Sequence, residues 1–138
     1  MDSGIMSVNA ALYRQRVQRR ETCVITGLND RTCRISRRHF DRLSDVLEKL
    51  KSLPVSDVIL YGSCARSEAK YDSDIDVIVL TDNITHELQT QIRFLRSEYG
   101  DGTGPDVDIH CYTKENYDKS ETTYLKIIHK EGIILWES

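Results

Sequence analysis

The sequence predicts a single α/β domain in which a small mixed sheet is flanked by helices. Two observations support this fold class. From residue 36 onward, short runs of branched apolar residues alternate with stretches whose apolar residues recur at helical spacing. The 138 residues, of which 39% are hydrophobic, can form one core but are too few for two ordinary domains. We therefore divide the chain into an N-terminal extension, residues 1–36, and one domain, residues 37–138.

The N-terminal extension is expected to hold a helix and a hairpin. Residues 8–21 are rich in Arg and Gln and carry only a sparse apolar stripe, which favours a solvated helical arm. Residues 22–35 have β-branched side chains on both sides of Asn29-Asp30, the pattern of a short β-hairpin. The arginines in this part of the chain indicate either a surface for an acidic partner or an ordinary solvated face.

Helices and strands are predicted to alternate in the rest of the chain. A first amphipathic helix follows Ser36, a plausible N-cap, and ends before Pro54. Two further helices are predicted. One begins after Thr85 and ends at Gly100, and the other begins after Thr113 and ends at Gly132. The strand-like apolar runs are residues 55–61, 75–80, 106–112 and 133–136.

Composition excludes several classes of protein. The formal net charge of −3 differs from the strongly basic balance of proteins that bind duplex nucleic acid, so nucleic acid is an unlikely partner on charge grounds. No apolar run is long enough to span a bilayer, and the first residues lack the pattern of a signal peptide, so we expect a cytoplasmic protein. The four cysteines form no C-x-x-C pair, which argues against a zinc site.

A glycine-serine turn follows the first strand of the domain. Gly62 allows the backbone to come close to a ligand, and the amides at the start of the following helical segment, with the Ser63 hydroxyl, suit a phosphate group. Taken alone, such a pair is far more often ordinary turn chemistry. The turn therefore needs support from a second motif.

That support comes from carboxylates on the next two strands. Asp74 and Asp76 project to the same side of a strand, about 7 Å apart, where a magnesium ion could relieve their repulsion. A solvated strand start would explain the same D-x-D pattern. Asp108 is the preferred third carboxylate because it lies inside a strand, while Asp106 remains the alternative at its edge. Three carboxylates beside a phosphate-binding turn suffice for nucleotidyl transfer.

The aromatic residues near strand ends admit two interpretations. Tyr61, Tyr112 and Trp136 could stack on a nucleobase, but side chains in such positions more often form the rim of a core. His110 shares the predicted face of Asp108, where an ordinary surface histidine is the simpler interpretation.

The two motifs together resemble a known family. The runs Leu60–Arg66 and Ser73–Val79, with the spacing G-S-x10-D-x-D, are similar to the signature of the DNA polymerase beta-like nucleotidyltransferase superfamily, and in particular of its minimal nucleotidyltransferase (MNT) branch. The resemblance covers about residues 37–138 and implies a single-domain nucleotidyltransferase fold. Two positions depart from the pattern: Cys64 stands where the family often has a basic residue, and Ser67 where it often has glycine.

The resemblance also implies roles for individual residues. Two Mg²⁺ ions and ATP as substrate are the expected ligands, with Asp108 as the expected base. The implied metal ligands and catalytic residues are Asp74, Asp76 and Asp108. The implied nucleotide-binding residues are Gly62, Ser63, Arg66 and Ser73.

The expected activity is transfer of a nucleoside monophosphate to another molecule. Larger members of the superfamily carry an extra domain for the acceptor, and a chain of this length is expected to receive its acceptor from a partner. By resemblance, the protein is expected to be the antitoxin of a HEPN/MNT pair, transferring AMP from ATP to a hydroxyl of a HEPN-type partner. The alternatives are a non-catalytic binding module, or a small-molecule nucleotidyltransferase whose acceptor site is built in a homo-oligomer.

Overall fold

The structure, a computed structural model, describes residues 11–17 and 20–138, with side chains from Thr22 onward. Its elements in chain order are β1 (Ala11–Val17), β2 (Arg20–Thr26), β3 (Thr32–Ser36), α1 (Arg37–Lys51), β4 (Asp57–Tyr61), α2 (Gly62–Ala65), β5 (Ile75–Thr81), α3 (His86–Glu98), β6 (Val107–Thr113), α4 (Lys114–Lys119), α5 (Thr123–Glu131) and β7 (Ile133–Glu137).

The predicted mixed α/β architecture is confirmed. Four strands form a sheet in the order β6-β5-β4-β7, in which β5 and β6 run parallel while β4 runs antiparallel to both β5 and β7. The parallel pair is joined by α3, the crossover connection that such a pair requires. A second, antiparallel sheet has the order β1-β2-β3.

The helix predicted for residues 8–21 is wrong where the structure describes this stretch. Residues 11–17 form β1, which pairs along its whole length with β2, and residues 20 and 21 belong to β2. A sparse apolar stripe gives a solvated helix little tertiary support, and strand pairing supplies the backbone hydrogen bonds instead. Residues 8–10, 18 and 19 lie outside the described residues.

The predicted hairpin is confirmed as β2 and β3. Thr26 lies opposite Thr32, and the turn between them places Asp30 at a φ of 62°. Leu28 N donates to the carbonyl of Ile134 at 2.8 Å, which ties the turn to β7. The hairpin also contributes buried side chains to the main core. The boundary between residues 36 and 37 stays a prediction.

The predicted helix caps are largely observed. The Ser36 hydroxyl accepts from His39 N at the start of α1, and the Thr85 hydroxyl accepts from Leu88 N at the start of α3. The single helix predicted after Thr113 is instead two helices. Thr113 caps α4, and a second cap, Thr122, starts α5 after an extended Ser120. No helix in the described part of the chain is both long and apolar enough to cross a membrane.

Alternate residues of the four-stranded sheet face two different cores. On one side, which we call the α1 face, Val77 and Val79 pack with α1, α3, α2 and the hairpin. On the other, the α5 face, Ile78 and Leu80 pack under α4 and α5. Because strand residues alternate between faces, Asp76 projects onto the α5 face. The chemistry predicted for β5 and β6 therefore belongs to that face.

Candidate active site

Three strands meet at one edge of the α5 face. β4 ends at Tyr61, which lies opposite Asp76 near the start of β5, and Asp76 lies beside Asp108 of β6 in the parallel register. Neighbouring strands are about 4.8 Å apart, so the two carboxylates are close neighbours. Asp74 is exposed directly before β5. The sheet thus brings Asp74, Asp76 and Asp108 to one end of the fold.

The electrostatics of Asp76 reflect this crowding. Burial raises the pKa of its carboxyl above the ordinary value, and the nearby charges of Asp108 and Asp74 raise it further. His110 and Arg66 act in the opposite direction and partly lower it. The ionised form of Asp76 therefore costs more free energy than that of a solvated aspartate. A bound cation would relieve this cost.

Asp108 is held by two cationic or polar neighbours. Its Oδ1 lies 3.5 Å from Nη2 of Arg96, and its Oδ2 lies 3.0 Å from Nε2 of His110. The Asp108 side chain keeps 36% of its surface exposed, so these contacts can rearrange when a ligand arrives. Asp108 is thus oriented by its neighbours while still accessible.

Asp106 occupies a different place from Asp108. Its backbone carbonyl accepts from Ile75 N at 2.9 Å, and it precedes β6 rather than pairing with Asp76. A cleft of about 570 Å³ nevertheless reaches Asp74, Asp106 and Asp108, with Arg93 and Arg96 on its wall. The register places Asp108, and not Asp106, directly beside Asp76.

The Gly62 turn packs directly against Asp76. Gly62 has a φ of 76°, and a Cβ added there would overlap Oδ2 of Asp76. Glycine is required for both reasons. The turn continues into the four-residue α2, and Glu68 N donates to the carbonyl of Ser63 at 2.9 Å. The predicted phosphate turn therefore contacts the second aspartate of D-x-D.

Arg66 pairs with two glutamates and not with the three aspartates of the site. Its Nε donates to Oε1 of Glu68 at 3.0 Å, and its Nη1 lies 3.8 Å from Oε1 of Glu131. The Arg66 side chain is 43% exposed, so exchanging these glutamates for a phosphate would cost little. Its charge still lowers the pKa of Asp76.

Ser73 organises the loop that enters β5. Its hydroxyl accepts from Lys70 N at 2.8 Å, and its backbone N donates to the Lys70 carbonyl at 3.0 Å. This hydroxyl already has a partner within the loop. Contact between Ser73 and a nucleotide stays a prediction.

His39 is a supporting residue that the sequence analysis missed. It is buried in α1, with Nε2 2.9 Å from the carbonyl of Ser73 and Nδ1 2.9 Å from the Ser36 hydroxyl. A carbonyl can only accept, so Nε2 carries the proton in this pair. His39 thus anchors the residue before Asp74. Its position three residues after a capping serine was the only available signal.

A tyrosine pair was also missed. The Tyr124 hydroxyl donates to the Tyr61 hydroxyl at 2.9 Å, and the rings meet edge to face with centroids 6.1 Å apart. Burial is the largest cause of the raised pKa of Tyr61. The hydrogen bond to Tyr124 and the charges of Asp76 and Asp108 raise this pKa further. The Tyr61 phenol therefore lies beside the carboxylates. Tyr61 was named as an end-of-strand aromatic, but nothing in the sequence paired it with Tyr124.

The residues at this edge suit a hard cation. Carboxylate oxygens are the ligands that Mg²⁺ prefers, and the mutual repulsion seen at Asp76 is the kind that such an ion offsets. Within the described residues, no three His, Cys, Asp or Glu side chains already stand in metal-binding geometry. Asp74, Asp76 and Asp108 would hold the ion after side-chain adjustment.

Comparison with known proteins identifies the family of the segment that contains these residues. The nucleotidyltransferase domain family matches residues 42–135, a stretch that contains the turn and all three carboxylates. The chain belongs to this nucleotidyltransferase domain family. The matched segment begins after β3, so the N-terminal hairpin lies outside it. Membership of this family supports nucleotidyl transfer as the general activity of the chain.

Two solved structures are similar to the chain at low identity. One is a candidate nucleotidyltransferase from Sulfolobus solfataricus, with 20% identity over 67% of this chain and 73% of that one, and a TM-score of 0.43. The other is a toxin-antitoxin with AMP-PNP, with 19% identity over 71% of this chain and 73% of that one, and a TM-score of 0.47. No curated protein matches the sequence. Neither structural similarity is close enough to transfer a function.

Proposed function

We propose that this nucleotidyltransferase is magnesium-dependent and moves AMP from ATP to a hydroxyl of a partner protein. The observation that carries the proposal is the placement of Asp76 beside Asp108, with the Gly62 turn against Asp76. This arrangement puts a phosphate-binding backbone next to carboxylates that can hold a metal and accept a proton.

Each residue has a distinct role in the proposed reaction. The acceptor oxygen forms a bond to the α-phosphorus of ATP, the bond to the β-phosphate oxygen breaks, and pyrophosphate leaves. The hydroxyl proton passes to Asp108. Gly62 and Ser63 hold the terminal phosphates, and Asp74, Asp76 and Asp108 would hold the magnesium. Magnesium, when bound, would supply charge neutralisation on the phosphates and lower the pKa of the attacking hydroxyl.

The protein acceptor is the finer part of the proposal. It is supported by the resemblance of Leu60–Arg66 and Ser73–Val79 to the MNT branch. We propose on this basis that the partner is a HEPN-type toxin, silenced in the cytoplasm by AMP on a hydroxyl-bearing side chain. The competing possibilities remain contact alone, and a small-molecule acceptor.

A labelling experiment separates the three. The purified protein, its co-purified neighbour-gene product, Mg²⁺ and ATP labelled at the α-phosphate are incubated together, with Asp108→Asn as the inactive variant and Asp106→Asn as the matched control. We expect label on the neighbour with the wild type and Asp106→Asn, and none with Asp108→Asn.

The other outcomes are also informative. Label only on a small molecule would replace the protein acceptor with a small one. Full protection of cells by Asp74→Asn against the neighbour, without any label, would favour a module that acts by contact.

A further inference from the structure

A second cleft opens on the α5 face. It has a volume of about 620 Å³ and exists because α4 and α5 are separate helices with a break between them. Its walls include Tyr112 of β6, Asn116 of α4, and Tyr124 with Leu125 of α5. None of these residues has a role in the reaction described above.

Strand β6 runs from the reaction site to the wall of the cleft. Asp108, His110 and Tyr112 occupy alternate positions of this strand and therefore face the same side. Four residues of strand place Tyr112 about 13 Å from Asp108, using about 3.3 Å per residue. That distance is comparable to the reach of a nucleotide from its α-phosphorus to the far edge of its base.

A second connection runs through the tyrosine pair. Tyr124 lines the cleft, and its hydroxyl bonds to that of Tyr61, the residue that precedes Gly62 and lies opposite Asp76. A ligand with phosphates at Gly62 would therefore meet the Tyr124 ring on its way into the cleft. The two connections place the cleft and the phosphate turn within one ligand's length.

The walls match a flat heteroaromatic ring. Tyr112 and Tyr124 offer aromatic surfaces, Leu125 offers an apolar one, and the Asn116 amide can donate and accept at a ring edge. Tyr124 keeps 46% of its surface exposed, which is high for a large aromatic residue that already packs against another tyrosine. Aromatic side chains of this kind stack on nucleobases.

We propose that this cleft binds the base of the nucleotide whose phosphates lie at the Gly62 turn. The inference rests on the proposed function, since it assigns the base of the same nucleotide. It takes Tyr124 as the stacking residue and Asn116 as the group that reads the base edge. An acceptor side chain is the competing occupant.

The test compares two ligands that differ in the base. Binding of AMP-PNP and of inorganic tripolyphosphate, both with Mg²⁺, is measured by calorimetry for the wild type, Tyr124→Ala and Asn116→Ala. The control is Ile127→Ala, an exposed α5 residue outside the cleft. Thermal unfolding monitors the fold of each variant.

We expect Tyr124→Ala to weaken the binding of AMP-PNP about tenfold and the binding of tripolyphosphate less than twofold. Asn116→Ala should weaken the binding of AMP-PNP by a few-fold, and the control should leave the affinity for both ligands unchanged. An equal loss of affinity for both ligands, or an unchanged affinity for AMP-PNP, would overturn the base cleft while leaving the proposed function standing. Wild-type protein that binds neither ligand would overturn both.

Discussion

The two faces of the four-stranded sheet differ sharply although they share the same strands. On the α1 face, Val77 and Val79 are fully buried under helices and the hairpin. On the α5 face, helices cover only part of the sheet, and Asp108 and His110 stay 36% and 43% exposed at its edge. Under the proposed function, the α1 face supplies stability and the uncovered end of the α5 face supplies the chemistry. Substitutions on the two faces should therefore separate folding from activity.

The largest effect is expected for Asp76→Asn. Activity should fall at least about 100-fold, the usual cost of losing one electrostatic contact to a transition state. The folded pKa of Asp76 is raised, so its ionised form costs stability above that pKa, and removing the charge should leave the melting temperature unchanged or higher. Steady-state kinetics and thermal unfolding measure both. A fall in activity that merely follows a fall in stability would erase the distinction between the faces.

Leu47→Ala tests the opposite face. Leu47 is fully buried in the core on the α1 face, so its truncation should cost about 2–5 kcal/mol in the free energy of unfolding. The activity of the fraction that remains folded should be within about twofold of wild type. Urea unfolding and activity per folded molecule check the pair of values. Specific activity reduced as much as that of Asp76→Asn would show that both faces carry the chemistry.

Gly62→Ala should affect both properties to an intermediate extent. A residue with a side chain is less stable by about 1–2 kcal/mol at the φ of 76° that Gly62 adopts. The added Cβ would also overlap the Asp76 side chain. We expect a lower unfolding free energy together with weaker AMP-PNP binding. Gly102→Ala is the matched control, because Gly102 has a φ of 82° with nothing near a Cβ. Loss of nucleotide binding in both variants would remove the role of Gly62 at the site.

The smallest effects concern Ser67, which ties the end of the turn to the hairpin. Ser67 has a φ of 61°, and its hydroxyl accepts from Arg34 N at 2.9 Å. Ser67→Ala keeps the backbone strain and loses the bond, so it should cost about 1 kcal/mol. Ser67→Gly loses the bond but relieves the strain and should lie closer to wild type. Chemical unfolding measures the stability of the two variants. Equal stabilities would contradict the claim that the positive φ of Ser67 is strained.

The sequence predicted those parts of the fold that depend on local patterns. The strand of Ile75 to Leu80, the hairpin around Asn29 and the pairing of G-S with D-x-D all follow from alternation and turn chemistry. The departure at Ser67 was visible too, and its positive φ is a conformation that glycine adopts without steric cost. Local patterns were less reliable for β1, where a polar stretch gains its structure from its partner strand.

The unpredicted parts are contacts between residues distant in sequence. His39 reaches Ser73 across 34 positions, and Tyr61 reaches Tyr124 across 63. The ion pair of Arg66 with Glu131 is of the same kind. Such contacts depend on how helices dock on the sheet, which no periodicity in a single sequence encodes.

The central claim is that the uncovered edge of the α5 face transfers a nucleotide, and the fate of the two ends of ATP tests it most directly. ATP is labelled at either the α- or the γ-phosphate and incubated with the protein, Mg²⁺ and the acceptor. The account predicts that the α-label joins the acceptor and the γ-label leaves as pyrophosphate, with both signals lost in Asp108→Asn and kept in Asp106→Asn. Transfer of the γ-label to the acceptor, or full activity of Asp108→Asn, would contradict it.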